Sequence, residues 1–134
     1  MTIRISSELH DALLALAAAS PETEVCGLLF GDETTVRAVS QTVNVATAPA
    51  DSFEIDPGAL IAAHRAMRAG GPNLIGYFHS HPNGVAEPSV RDRKAMAVLG
   101  GFWIIIAGDQ VTLWTMGACG TEAQRLTLST ILRY

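Results

Sequence analysis

Two imidazoles and a carboxylate crowd into one short stretch of the chain. His79-Ser80-His81-Pro82 is followed by Ser89 and Asp92, ten and thirteen residues after the first histidine. Residues two apart on a strand project to the same face, so His79 and His81 can reach one metal ion while Ser80 points away. Ser80 is then a structural residue. Pro82 cannot donate within a paired strand, and it ends the strand where the two rings protrude. Asp92 falls one turn into a following helix, from which a carboxylate can turn back toward the strand exit. Two histidines and one acid leave a tetrahedral zinc with a fourth position open to water, the arrangement of a hydrolytic centre rather than a structural one.

The same residues carry a plainer explanation. Ser89-Val90-Arg91-Asp92 has the Ser-x-x-acid form of a capping box, which stabilises a helix start without any metal. The two uses are compatible. Near the positive end of the helix dipole Asp92 stays ionised, as a ligand must. Peptide hydrolysis also needs a base. Glu24 directly precedes the apolar run Val25-Cys26-Gly27-Leu28-Leu29-Phe30, a rigid support for a placed carboxylate. Glu22 stands close by, and spacing alone does not choose between them. His10 and His64 lie singly on helical stretches and are expected to be structural or exposed. Trp103 and Trp114, on facing strands of a hairpin, are expected to pack rather than to form a substrate platform.

The elements that position these groups follow from pattern. Residues 2–5 read as a short strand. Ser7 serves as the N-cap of a helix to about Ala19, apolar at Leu9, Leu13, Leu14, Leu16 and Ala17. The run from Val25 to Phe30 is a buried strand, and Thr34 to Val45 is one longer or two shorter strands. Asp56-Pro57 starts a helix that runs to about Ala69 and stops at Gly70-Gly71. Leu74 to His79 is a strand, Pro82 to Pro88 a loop, and Ser89 opens a helix through about Leu99. Phe102 to Ala107 and Val111 to Met116 form a hairpin around Gly108-Asp109, with Gln110 a candidate third turn residue. Gln124 to Leu128 adds a last strand. Substrate choice is expected in the loops 46–56 and 83–88. The sum is an α/β fold over residues 1–134: a single compact domain with a mixed, mostly antiparallel sheet flanked by about three helices.

Bulk properties exclude several classes. A chain of 134 residues, 49% hydrophobic and 16% charged, is long enough to bury a core. The net charge of −4 and the lack of a basic stripe argue against nucleic acid as a partner. Arg91, Arg93 and Lys94 are interrupted by Asp92 and read as a solvated helix face. No apolar run approaches the ~20 residues a membrane span needs. The first residues lack the charged-then-apolar layout of a secretory signal, so a cytoplasmic location is the expectation. Cys26 and Cys119, the only cysteines, are too few for a disulfide framework or a cysteine zinc site, and both are expected to be reduced and buried.

With these residues in hand, the chain resembles the JAMM/MPN-plus zinc metalloproteases, in their short prokaryotic class. The family motif is an upstream glutamate, then His-Ser/Thr-His-Pro, six residues, Ser, two residues, Asp. Here it is met by Glu24, His79, Ser80, His81, Pro82, Ser89 and Asp92 without a gap. Glu24 is favoured over Glu22 because the family's glutamate precedes a Gly-Leu-Leu-type strand, present as Val25-Cys26-Gly27-Leu28-Leu29. The resemblance implies an MPN/JAB-like fold with cytidine-deaminase-like layering. It implies Zn2+ as cofactor, held by His79, His81 and Asp92. It implies Glu24 as general base and later proton donor, and Ser89 as a hydrogen-bond donor to the oxyanion. The implied reaction is hydrolysis of an amide or isopeptide bond after the C-terminal Gly-Gly of a ubiquitin-like or sulfur-carrier protein. A metallohydrolase of small or unrelated amides and a non-catalytic binding module of the same fold are the competing expectations.

Overall fold

In a computed structural model the chain is described at residues 1–117, 120 and 122–132. In chain order the elements are β1 (Thr2–Ser6), α1 (Ser7–Ala18), β2 (Cys26–Gly31), β3 (Thr35–Thr42), α2 (Pro57–Arg68), β4 (Leu74–Ser80), α3 (Val90–Leu99), β5 (Phe102–Ala107), β6 (Gln110–Met116) and β7 (Ala123–Ile131). The strands are ordered β1-β3-β2-β4-β5-β6-β7 and close into a barrel. β1 runs parallel to both of its neighbours, β3 and β7. β4 and β5 are also parallel, and the other four pairings are antiparallel. The β1-β3 seam of the barrel is short, joined only at Arg4 with Thr35 and Ile5 with Val36. The expected mixed sheet with three helices is therefore present, but its two ends meet. That meeting joins the first and last strands of the chain, a long-range pairing with no local signature.

The local boundaries have identifiable causes. The cap of α1 is Ser6 rather than Ser7, because the Ser6 side chain accepts the Leu9 N–H. In α2 the Asp56 side chain accepts from Gly58 N and Pro57 sits in the first turn, as the sequence suggests. Thr35–Thr42 is one strand rather than two. Between β5 and β6 Gln110 pairs with Ala107, so it belongs to the strand and the turn is Gly108-Asp109 alone. Gly108 has φ +61°, which a two-residue hairpin turn of type II′ requires at its first position.

Two apolar clusters lie on the two faces of the β2-β4-β5 sheet. Ile3, Ile5, Leu13, Leu29, Phe78, Ile104 and Ile106 form one, with α1 packed against it. Cys26, Leu28, Ala63, Tyr77, Met96 and Trp103 form the other, beneath α2 and α3. Buried Cys26 carries a free thiol, as expected; Cys119 lies outside the described residues. β4 is paired on both sides, to β2 and β5, which makes its C-terminal end a fixed platform. No helix among the described residues is long and apolar enough to cross a membrane.

Candidate metal centre

The end of β4 delivers both histidines. His79 lies opposite Cys26 on β2 and Ile105 on β5, and His81 follows with its N–H donating to Ile106 O at 2.8 Å. Ser80 points away, as its alternation requires. Its hydroxyl accepts the Val25 N–H at 2.9 Å, and its own N–H donates to Val25 O at 3.0 Å. Ser80 thus ties the residue after Glu24 to the histidine strand.

The first turn of α3 supplies the carboxylate. Ser89 Oγ accepts from Asp92 N at 3.0 Å and Ser89 N donates to Asp92 Oδ2 at 2.8 Å, a complete capping box. The same Oδ2 lies 2.8 Å from His81 Nε2 and 3.1 Å from His79 Nε2. Cap and convergence coexist in one side chain. The two Nε2 atoms are 3.0 Å apart.

These three atoms can be bridged by protons or by a cation. His81 Nδ1 faces Val85 O at 2.6 Å, and in the neutral ring donation of its proton there leaves the Nε2 lone pair facing Asp92 and His79. His79 Nδ1 is buried and finds no hydrogen-bond partner among the described residues. A tetrahedral ion with bonds of 2.0–2.1 Å sets its ligands about 3.3 Å apart, slightly wider than the triangle observed. Two imidazole nitrogens and a carboxylate oxygen are a donor set that zinc takes. The residues fit the ion.

Glu24 completes the cluster from the other side. Glu24, His79 and His81 each offer a ligand atom, all within 4.8 Å of one another. Oδ2 of Asp92 lies at 2.8 and 3.1 Å from the same two rings, so both carboxylates border the pair of histidines. Glu24 is buried, whereas Glu22 is exposed. Its N–H donates to Pro49 O at 2.7 Å, and its carbonyl accepts from Asn44 Nδ2 at 2.9 Å. Oε1 of its carboxyl is buried without a partner among the described residues. A cavity of about 90 Å³ opens between Glu24, Ala50, Asp51, His81, Pro82, Asn83 and Ser89. A larger cavity of about 540 Å³ lies by Asn73, Ile75 and Phe102, at the opposite end of β4. Its Asp32 is already committed to Thr34, Thr35 and Arg37, and the titratable cluster is elsewhere.

Electrostatics separate the two acids. Burial pushes the Glu24 carboxyl up from 4.5 to about 7, with the charge of His81 opposing and those of Asp92 and Asp51 assisting. Burial also opposes ionisation of Asp92, but hydrogen bonds from His79 and His81 outweigh it and hold the carboxyl well below the usual range. Full burial pushes His79 down. Burial works the same way on His81, where hydrogen bonds to Asp92 and Val85 reverse it and the net shift is upward. One acid is held ionised and the other is poised near neutrality, the separation expected of groups with different duties.

Three features escaped the sequence reading. Phe53 stacks on His79, with ring centroids 4.2 Å apart and planes 21° apart. Asn44 organises the loop that carries Phe53. Its Nδ2 also donates to Ser52 O, and its Oδ1 accepts from Ala46 N and Glu54 N. Thr112 on β6 donates to Ala86 O at 2.8 Å and accepts from Trp114 Nε1 at 2.9 Å, which fixes the segment carrying Val85. The only sequence trace of Phe53 is an aromatic in the otherwise polar stretch 51–54. His10 and His64 take no part in the cluster, as expected. Trp103 is fully buried and Trp114 partly so, consistent with packing.

Comparison with known proteins adds family and relatives. A model described as prokaryotic homologs of the JAB domain matches residues 6–117. The chain is 32% identical over 113 residues to a desampylase of Haloferax volcanii, covering 80% of this chain and 81% of that protein. It is 38% identical over 66 residues to a probable TtuB-protein conjugate cleaving protease of Thermus thermophilus, covering 49% of this chain and 45% of that one. A protein of Desulfitobacterium hafniense, solved in solution, shares the fold at a TM-score of 0.80 and 25% identity. The match covers 98% of this chain and 93% of that one.

Proposed function

The chain belongs to the family of prokaryotic homologues of the JAB domain and is a hydrolase, and from that membership we propose a zinc-dependent peptidase or isopeptidase. Its proposed substrate is the amide bond after the C-terminal Gly-Gly of a ubiquitin-like or sulfur-carrier protein. The relatives named as a desampylase and as a conjugate cleaving protease support that class. The observation that carries the reading is the convergence of His79 Nε2, His81 Nε2 and Asp92 Oδ2 within 3.1 Å, with the buried Glu24 carboxyl beside them, its Oε1 without a hydrogen-bond partner among the described residues.

His79, His81 and Asp92 would hold the ion. When bound, zinc supplies Lewis acidity, polarising the scissile carbonyl and making water acidic enough to ionise near neutral pH. Glu24, poised at about 7, takes the proton from the attacking water and returns it to the leaving amine. The Ser89 oxygen accepts from Asp92 N, so its hydroxyl proton is free to donate to the developing oxyanion. The ~90 Å³ cleft suits a residue without a side chain, which favours glycine at the bond to be cut. An extended tail lying against strand-rich walls would gain main-chain hydrogen bonds that need no particular side chain.

The test is cleavage of fusions in which a carrier ends in Gly-Gly, run beside small acyl amides. Carrier fusions are expected to be cut, a chelator to stop the reaction and added zinc to restore it. Glu24→Gln should keep its zinc and lose about 10²–10⁴-fold in kcat. Full turnover by Glu24→Gln would remove the base assignment, and turnover of small amides alone would remove the carrier as substrate.

A further inference from the structure

The two histidines of the cluster are oriented by different means. His81 has a hydrogen bond on its far nitrogen, Nδ1, to Val85 O at 2.6 Å, the usual way a ligating imidazole is fixed. His79 has none among the described residues, although its ring is fully buried. Something else must stop that ring from rotating about its side-chain bonds. On one face it carries Phe53, nearly parallel at 4.2 Å and 21°. Against its side stands Trp103, at 6.2 Å and 79°. Trp103 is also near Phe53, at 6.0 Å, so the three rings form one packed group.

Phe53 is itself held in place. Asn44 grips the chain on both sides of it, donating to Ser52 O at 3.1 Å and accepting from Glu54 N at 3.1 Å. Val45 N adds a bond to Glu54 O at 3.0 Å, and Ser52 Oγ donates to Ala48 O at 2.8 Å. A loop pinned this tightly presents a flat aromatic face at a fixed height above His79.

We propose that Phe53 is a positioning residue for His79, its stacked ring replacing the hydrogen bond that fixes His81, so that Nε2 is aimed at the metal position. The assignment rests on the proposed metal centre. It predicts that the flat face matters, not merely the volume. Loss of a partner that orients a ligand weakens metal binding by 10–100-fold in general; a stack lacks a directed bond, so the lower end applies.

The experiment measures zinc affinity by chelator competition in the wild-type protein and in Phe53→Ala, Phe53→Leu and Phe53→Tyr. The visible spectrum of the cobalt-substituted proteins and the melting temperature of the metal-free ones are recorded alongside. Phe53→Ala is expected to bind zinc about tenfold more weakly, with an altered cobalt spectrum. Phe53→Leu should recover the melting temperature but not the affinity or spectrum, and Phe53→Tyr should match wild type in all three. Phe53→Leu decides the matter even if Phe53→Ala folds poorly: wild-type affinity and spectrum in that variant would reduce Phe53 to a space-filler and overturn the proposal. A wild-type protein that takes up no zinc would instead overturn the metal centre itself, and this assignment with it.

Discussion

Glu24 and Asp92 flank the same histidine, and the protein treats their charges in opposite ways. For Asp92 the cap and the two imidazoles reward ionisation; for Glu24 burial penalises it. The penalty has a consequence for stability in metal-free protein. In the unfolded chain Glu24 loses its proton near 4.5, in the folded one near 7. Between those values the folded state holds the extra proton, so stability falls as pH rises through the window and is flat above it. At 1.36 kcal/mol per tenfold change in proton affinity the whole shift would carry about 3 kcal/mol. Solvent in the cleft screens part of it, leaving about 1–2 kcal/mol. Glu24→Gln, neutral throughout, should therefore be as stable as wild type at pH 4 and about 1–2 kcal/mol more stable at pH 8. Urea unfolding of both chelated proteins at the two values checks this, and equal midpoints at pH 8 would show that the carboxyl is solvated after all.

At the scale of elements, what could be read from sequence were the parts whose signal is local. His79-Ser80-His81-Pro82 announces a strand exit with two rings on one side, and Asp56-Pro57 announces a helix start. Ser89 to Asp92 announces both a cap and a ligand candidate. The hydroxyls were not readable in the same way, because their partners are chosen by folding. Nothing near Ser80 in the sequence points to Val25, and nothing near Thr112 points to Ala86, 26 residues earlier. Yet Thr112 anchors the loop 83–88 from β6, and that loop presents Val85 O to His81. Thr112→Val keeps the branched shape of a buried strand residue and removes only the hydroxyl. It should cost about 1 kcal/mol of stability and weaken zinc binding severalfold, because the Val85 carbonyl loses its fixed position. Thr112→Ser should retain both. Thermal melts and chelator competition on the two variants make the comparison. Unchanged zinc affinity in Thr112→Val would mean that Asn83, which accepts from Val85 N at 2.9 Å, holds the loop without help.

Across the whole molecule the site draws on three separate segments. Glu24 comes from the approach to β2, the histidines from the exit of β4 and Asp92 from the start of α3. An ion held by His79, His81 and Asp92 would clamp the exit of β4 to the start of α3, and a centre of that kind could in principle be what holds the fold together. The barrel argues otherwise. Its closure joins β1 to β7, and Ile3, Ile5, Leu29, Phe78, Ile104 and Ile106 are fully buried on the face of the sheet turned away from Trp103. None of those side chains belongs to the metal centre, so their packing does not draw on an ion. Metal should therefore add stability by mass action rather than create the fold. At free zinc 100-fold above its dissociation constant the gain is about 2.7 kcal/mol, or about 10 °C in a domain of this size. Chelation should lower the melting temperature by that order, while far-ultraviolet circular dichroism stays native and unfolding stays cooperative. Collapse to an unfolded spectrum on chelation would reveal a structural ion, as in zinc fingers, and would leave the buried Glu24 carboxyl at the site unexplained.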